Sequence, residues 1–178
     1  MEKFLDVREK YKRKNLILFN QNSLSIKALN DSFNKTNHKV LILWAFKNVD
    51  RIYQELKNNH FDDERIKEAI LLCKRWKEGL VKMKEAKASI LKVHAIAKEV
   101  DSLELIALLH AIAQGLSTVH VKTHAIGLVL YELTAIVRKY GIDDFYLQVN
   151  SRITNYISDL EEVKIALDKD NNWASFLK

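Results

Sequence analysis

Proline is absent from this 178-residue chain and glycine occurs only four times. So little turn and breaker chemistry argues against a many-stranded sheet or a long disordered linker. Cysteine is nearly missing too. Cys73 stands alone, so no internal disulfide can form, and its neighbours Leu71 and Leu72 mark an ordinary buried thiol in a reducing compartment. No apolar run is long and clean enough to span a bilayer. The most apolar stretch, 103–137, is interrupted by His110, Gln114, His120, Lys122, His124 and Glu132, and a charged group at bilayer depth costs about 3 kcal/mol or more. The opening MEKFLDVREKYKRK mixes charges of both signs and lacks the apolar run of a secretory signal. A cytoplasmic protein is expected. Signature motifs of catalysis are missing as well: no Gly-rich phosphate loop, no GxSxG, no zinc-ribbon cysteine pairs and no kinase-like set.

What is present is helical patterning around an apolar centre. Hydrophobic residues make up 48% of the chain, enough for one domain with a sizeable core and too short a chain for two comfortable ones. In Leu103 to Val137 the apolar residues surround the helical projection instead of forming one stripe, as expected when neighbours cover a segment on several sides. Ala111, Ala113, Gly115, Ser117, Ala125 and Gly127 would let those neighbours approach closely. An unbroken helix of that length would overrun its neighbours, so a break is expected between Gly115 and His124. The fold class that follows is an all-α, single-domain bundle of six to eight helices with a buried central helix or helix pair.

Flanking segments follow the same logic. A first helix is predicted over about Glu2 to Phe19, then a short one carrying Ile26, Leu29 and Phe33 with Ser23 as N-cap. Leu41, Trp44, Ala45, Val49, Ile52, Tyr53 and Leu56 give one continuous stripe over Lys39 to Lys57, which Asn58-Asn59 can close. Asp62 is the predicted N-cap of a helix that buries Ile66, Ala69, Ile70, Cys73 and Trp76 and stops at Gly79. Val81 to Lys98 follows with Met83, Ala86, Ile90, Val93 or His94, and Ala97 inward. Asp101 and Glu104 have the spacing of a capping box at the start of the central stretch. After Gly141 a last helix runs from about Asp144 to Leu167, with Ile157 among its inner residues. A tail from Asn171 is expected to dock Trp173, Phe176 and Leu177 on the body.

The net charge is +6, concentrated in Lys10 to Lys14 and in Lys74 to Lys92, while Asp143, Asp144, Asp159, Glu161, Glu162, Asp168 and Asp170 make the C-terminal part acidic. A basic face speeds encounter with an acidic protein, nucleic acid or an anionic surface. The exposed lysines Lys82, Lys84 and Lys87 are the candidate partner contacts. Nucleic acid is the competing partner, since these lysines with Lys74 and Arg75 would neutralise several phosphates. Against it stand the scarcity of arginine there and the lack of base-reading Gly-and-aromatic modules.

His94, His110, His120 and His124 are the one constellation with a chemical alternative. On a continuous helix His120 and His124 would share a face at metal-pair spacing, which keeps a metal-dependent hydrolase as a third reading. The segment HVKTH, however, lacks the glutamate of HExxH and places Lys122 where a cation would be repelled. Structural histidines bonding buried groups are therefore expected, with no catalytic residue, metal or cofactor.

The order of features resembles the Imm-five-like putative immunity proteins of bacterial polymorphic-toxin systems over about 38–137. It is carried by His38 with Trp44-Ala45, Asp63 with Arg65 and Ala69, Trp76, His94-Ala95, and above all HVKTHAIGLVLYE, 120–132. The N-terminal extension 1–37 and the C-terminal helix and tail 141–178 lie outside it. This chain departs from the family in lacking the prolines often found after Arg65 and near Lys122, and in carrying Leu, Ile and Val for some central alanines. The resemblance implies an all-helical bacterial cytoplasmic protein that neutralises a cognate toxin by steric occlusion, without catalysis, as in toxin–antitoxin pairs. It places the contacts on exposed positions such as Lys82, Lys84 and Lys87.

Overall fold

The predicted stripe from Leu41 to Leu56 is buried along its whole length, on a helix that runs from His38 to Asn58. The computed structural model describes residues 2–167 and 172–177, and among these the chain forms eight α-helices and no strand. They are α1 Leu5–Lys12, α2 Lys27–Lys35, α3 His38–Asn58, α4 Glu64–Lys77, α5 Met83–Ile96, α6 Leu103–Ser117, α7 His124–Tyr140 and α8 Tyr146–Ala166, with 3-10 turns at Glu2–Phe4 and Ser175–Leu177. Asp168, Asp170 and Asn171 lie outside the described residues.

The central stretch is a helix pair. α6 ends at Ser117 and α7 begins at His124, so the break falls inside the expected interval. α6 and α7 pack most extensively on each other, while α3 and α5 lie against α6 and α8 against α3. Close approach is visible at Gly115, where a Cβ would come within 2.7 Å of Leu128 Cδ1 and closer still to Val49 Cγ2. Trp44 is fully buried, donates its indole N–H to the Tyr156 carbonyl at 3.0 Å and packs edge-on against Phe33 and Tyr156.

Several boundaries depart from the sequence expectation. α1 stops at Lys12 because Lys14 takes a left-handed conformation, with Asn15 N–H bonding the Lys10 carbonyl and Lys14 N–H the Tyr11 carbonyl, a Schellman closure. Leu18 and Phe19 are buried as extended chain instead, and the Leu18 N–H reaches Thr134 Oγ1 at 3.0 Å. α3 closes in the same way on His60, not on the asparagines before it. Ser23 does not cap α2: its hydroxyl accepts from Asn20 N–H and bonds Asp6. The caps of α4 and α6 each move one residue, to Asp63 (accepting from Arg65 N–H) and Ser102 (accepting from Leu105 N–H), while Asp62 accepts from the Tyr53 hydroxyl. Gly79 and Gly141 end α4 and α7 as expected, both with positive φ.

Candidate functional site

The three lysines singled out from the sequence stand together around the α4–α5 turn and the first turns of α5, and all three are exposed. Residues 74–92 hold seven Lys and Arg against two Glu, so nearly all of the chain's net charge of +6 originates there. Some of that charge is compensated. Lys74 pairs with Asp50 and Lys92 with Glu68, and Lys77 is buried over the Trp173 ring. Glu85 accepts from the Lys82 backbone N–H at 2.9 Å and so closes the start of α5. Among the described residues Arg75, Lys82, Lys84 and Lys87 make no ion pair, which leaves a compact set of uncompensated cations.

Three of the four histidines gather along one face of α6, where His94 meets His110 and His124 meets Gln114 one turn on, while His120 lies in the turn that follows α6. His94 of α5 and His110 of α6 meet Nδ1 to Nδ1 at 2.7 Å, with the Tyr131 ring of α7 packed on His110 at 5.1 Å. One nitrogen must donate and the other accept, so the contact requires at least one neutral imidazole. Burial holds both pKa values below the ordinary histidine value, and for His94 the nearby His110 and His124 add to it. His124 bonds Gln114 Oε1 through Nδ1 at 2.7 Å, and burial with nearby His120 lowers its pKa too.

His120 does not share a face with His124. The chain between them is a turn, and the exposed His120 ring stacks on Trp76 at 6.0 Å instead. Among the described residues no group of three or more His, Cys, Asp or Glu is arranged to hold a metal ion. Cys73 is fully buried, and desolvation pushes its thiol up to about 12, far from a reactive thiolate.

A polar centre that the sequence did not single out lies between α3, α7 and α8. Glu132 is 2% exposed and accepts from Arg51 Nη2 at 2.7 and 2.8 Å and from the Tyr156 hydroxyl at 2.7 Å, with Arg152 Nε at 3.0 Å. Burial by itself would lower the Arg51 pKa, but the Glu132 carboxylate outweighs it and raises it. Burial and the same carboxylate push the Tyr156 hydroxyl well above its usual value. This network borders a half-open cavity of 690 Å³ whose walls include Leu105, Leu108, Ile136 and Leu147. Ion pairs continue along it, Glu55 with Arg51 and Arg152 and Lys139 with Glu104, while the buried Arg51 Nε, Arg152 Nε and Gln148 Oε1 find no hydrogen-bond partner among the described residues. The one sequence signal is Glu132 itself, a carboxylate deep inside the most apolar stretch, whose other acidic residue, Glu104, stands at its start.

The residues that carried the family resemblance prove to be joints between elements. His38 Nε2 donates to the Thr118 carbonyl at 2.6 Å, tying the start of α3 to the end of α6. Asp63 caps α4 and, with Glu99, grips the Arg65 guanidinium. Gly127 of the THAIG block lies so close to Gln114 that a Cβ would come within 3.0 Å of its Cδ. Neither a search of curated proteins nor one of solved structures returns a match. The family model described as Imm-5 like putative immunity protein does match, over residues 31–162, which adds part of α2 and most of α8 to the stretch that carried the resemblance. On a match that takes in well over half of its length, this chain belongs to the Imm-5 like putative immunity protein family.

Proposed function

We propose that this protein is a cytoplasmic immunity protein that binds a cognate toxin protein and blocks it by steric occlusion, without catalysis. One observation carries the choice of contact face: Lys82, Lys84 and Lys87 are exposed and make no ion pair among the described residues, in a run that contributes most of the net charge. Charges left uncompensated on one face accelerate encounter with an oppositely charged partner. An acidic toxin surface is the complement. The histidines support the non-catalytic reading, because His94, His110 and His124 already spend ring nitrogens on bonds between helices. Among the described residues no helix is long and apolar enough to cross a membrane.

Co-expression with the toxin encoded in the same genomic neighbourhood tests the proposal. Restored growth together with a stable complex is the expected result, and continued killing without a complex refutes it. The same cations favour nucleic acid as a second reading. A gel shift with duplex and single-stranded probes at low and moderate salt decides it, since phosphate binding must weaken steeply as salt rises.

A further inference from the structure

Two large apolar side chains, Leu80 and Met83, stand exposed around the same turn as those lysines, and a third, Phe176, lies against Trp76 at the end of α4. Leu80 is 63% exposed, Phe176 56% and Met83 45%. Met83 was expected to point inward, and Phe176 to dock with its neighbours. Instead Trp173 and Leu177 are buried while Phe176 turns outward. The support beneath is firm. Ala174 N–H bonds the Lys77 carbonyl at 2.7 Å, and Ala174 lies 3.4 Å from where a Cβ on Gly79 would sit, so the tail is held against the α4–α5 turn. Trp76, 3% exposed, is flanked by the rings of Phe176 at 5.9 Å and His120 at 6.0 Å.

We propose that this end of the bundle, with Leu80, Met83 and Phe176 at its centre and Lys82, Lys84 and Lys87 around them, is the docking surface for a protein with an apolar recess rimmed by acidic side chains. The inference rests on the toxin-binding reading and specifies its contact face. Apolar anchors ringed by polar groups are the arrangement in which a few residues carry most of a protein–protein binding energy. The uncompensated lysines dictate the sign of the partner's rim, because a basic rim would be repelled. A phosphate backbone makes no use of Leu80 or Met83, and the four free cations include a single arginine, Arg75, where base recognition favours several. The 690 Å³ cavity is a separate feature, flanked by the N-terminal turns of α6 (Ser102 to Leu108), whereas His120 follows its C-terminal end. The two ends of α6 are about 20 Å apart.

The test measures binding of the full chain to the toxin encoded beside it, used as a catalytically silenced variant, at about 50 and about 300 mM NaCl. Leu80→Ser and Phe176→Ser are each expected to weaken the complex about 10-fold or more at both salt concentrations, mainly through faster dissociation. Lys82→Glu, Lys84→Glu and Lys87→Glu together should slow association by about 10-fold or more at low salt and much less at high salt. Ile165→Ser, at an exposed position on α8, should change nothing. All replaced side chains are exposed, so unchanged melting curves are expected; if Leu80→Ser unfolds the turn, Met83→Ser provides the same readout. A wild-type complex that none of these changes weakens overturns the docking surface and leaves the immunity reading standing. No wild-type complex overturns both. Binding of the wild-type chain to phosphatidylserine vesicles in place of the toxin overturns the protein partner in favour of a lipid surface.

Discussion

Replacing Gly115 by alanine sets two opposed effects against each other. Alanine in a helix interior is favoured over glycine by about 1 kcal/mol. The added Cβ, however, would come within 2.7 Å of Leu128 Cδ1 and closer to Val49 Cγ2, where carbon atoms prefer about 3.5–4.0 Å. Each neighbour must retreat by about 1 Å. Val49 and Leu128 are both fully buried, and Val49 is β-branched with little rotamer freedom, so the displacement passes into α3 and α7. Overpacking of this kind costs about 1–3 kcal/mol. The net expectation is a loss of about 1 kcal/mol, read from urea unfolding followed by far-UV circular dichroism. A double-mutant cycle isolates the cause. Val49→Ala removes the blocking methyl and should cost about 2 kcal/mol alone, yet the double variant should be more stable than the sum by about 1 kcal/mol. A Gly115→Ala protein that gains stability, or a cycle that is additive, refutes the claim that glycine is there to let α3 and α7 close on α6.

Two further outcomes follow from the polar groups. Glu132→Ala leaves Arg51 and Arg152 largely buried without their common carboxylate, and should cost about 3–5 kcal/mol in urea unfolding; a loss below about 1 kcal/mol would show that the network is not coupled. Burial depresses the pKa values of His94, His110 and His124 in the fold, so at these three sites the unfolded chain binds protons first. Stability is therefore complete above about pH 6.5 and falls as pH drops below it, with a slope under about 1.4 kcal/mol per unit per histidine because the rings are part-exposed. Urea midpoints between about pH 7.5 and 5.5 check this, and a profile as flat for the natural protein as for a His94→Leu, His110→Leu variant would contradict it.

The helices were legible because their cause is local. The stripe on α3, the small residues of α6 and α7 and the glycine stops at Gly79 and Gly141 are written at spacings of three and four residues or at single positions. Caps were misplaced by one residue where two candidates adjoin, as in Asp62-Asp63 and Asp101-Ser102, because tertiary partners decide which is free: Tyr53 occupies Asp62. The N-terminal helix was predicted too long because Leu18 and Phe19 have an apolar pattern that the core accepts equally well as extended chain. Glu132 meets Arg51 across 81 residues and Tyr156 across 24, separations at which no periodicity connects partners. The basic half of the candidate surface was visible as a run of lysines. Its apolar half was not, since Met83 fits the stripe of α5 and only the returning tail brings Phe176 onto Trp76 near the end of α4.

Cys73 gives the molecule its own gauge of breathing. Being the sole thiol in the chain, fully covered and protonated far above neutrality, it can be alkylated only while α4 is lifted from the core. The labelling rate in native buffer therefore measures how often that helix opens. Comparing it with and without a bound partner would show whether occupancy at the α4–α5 turn clamps the helix leading into it.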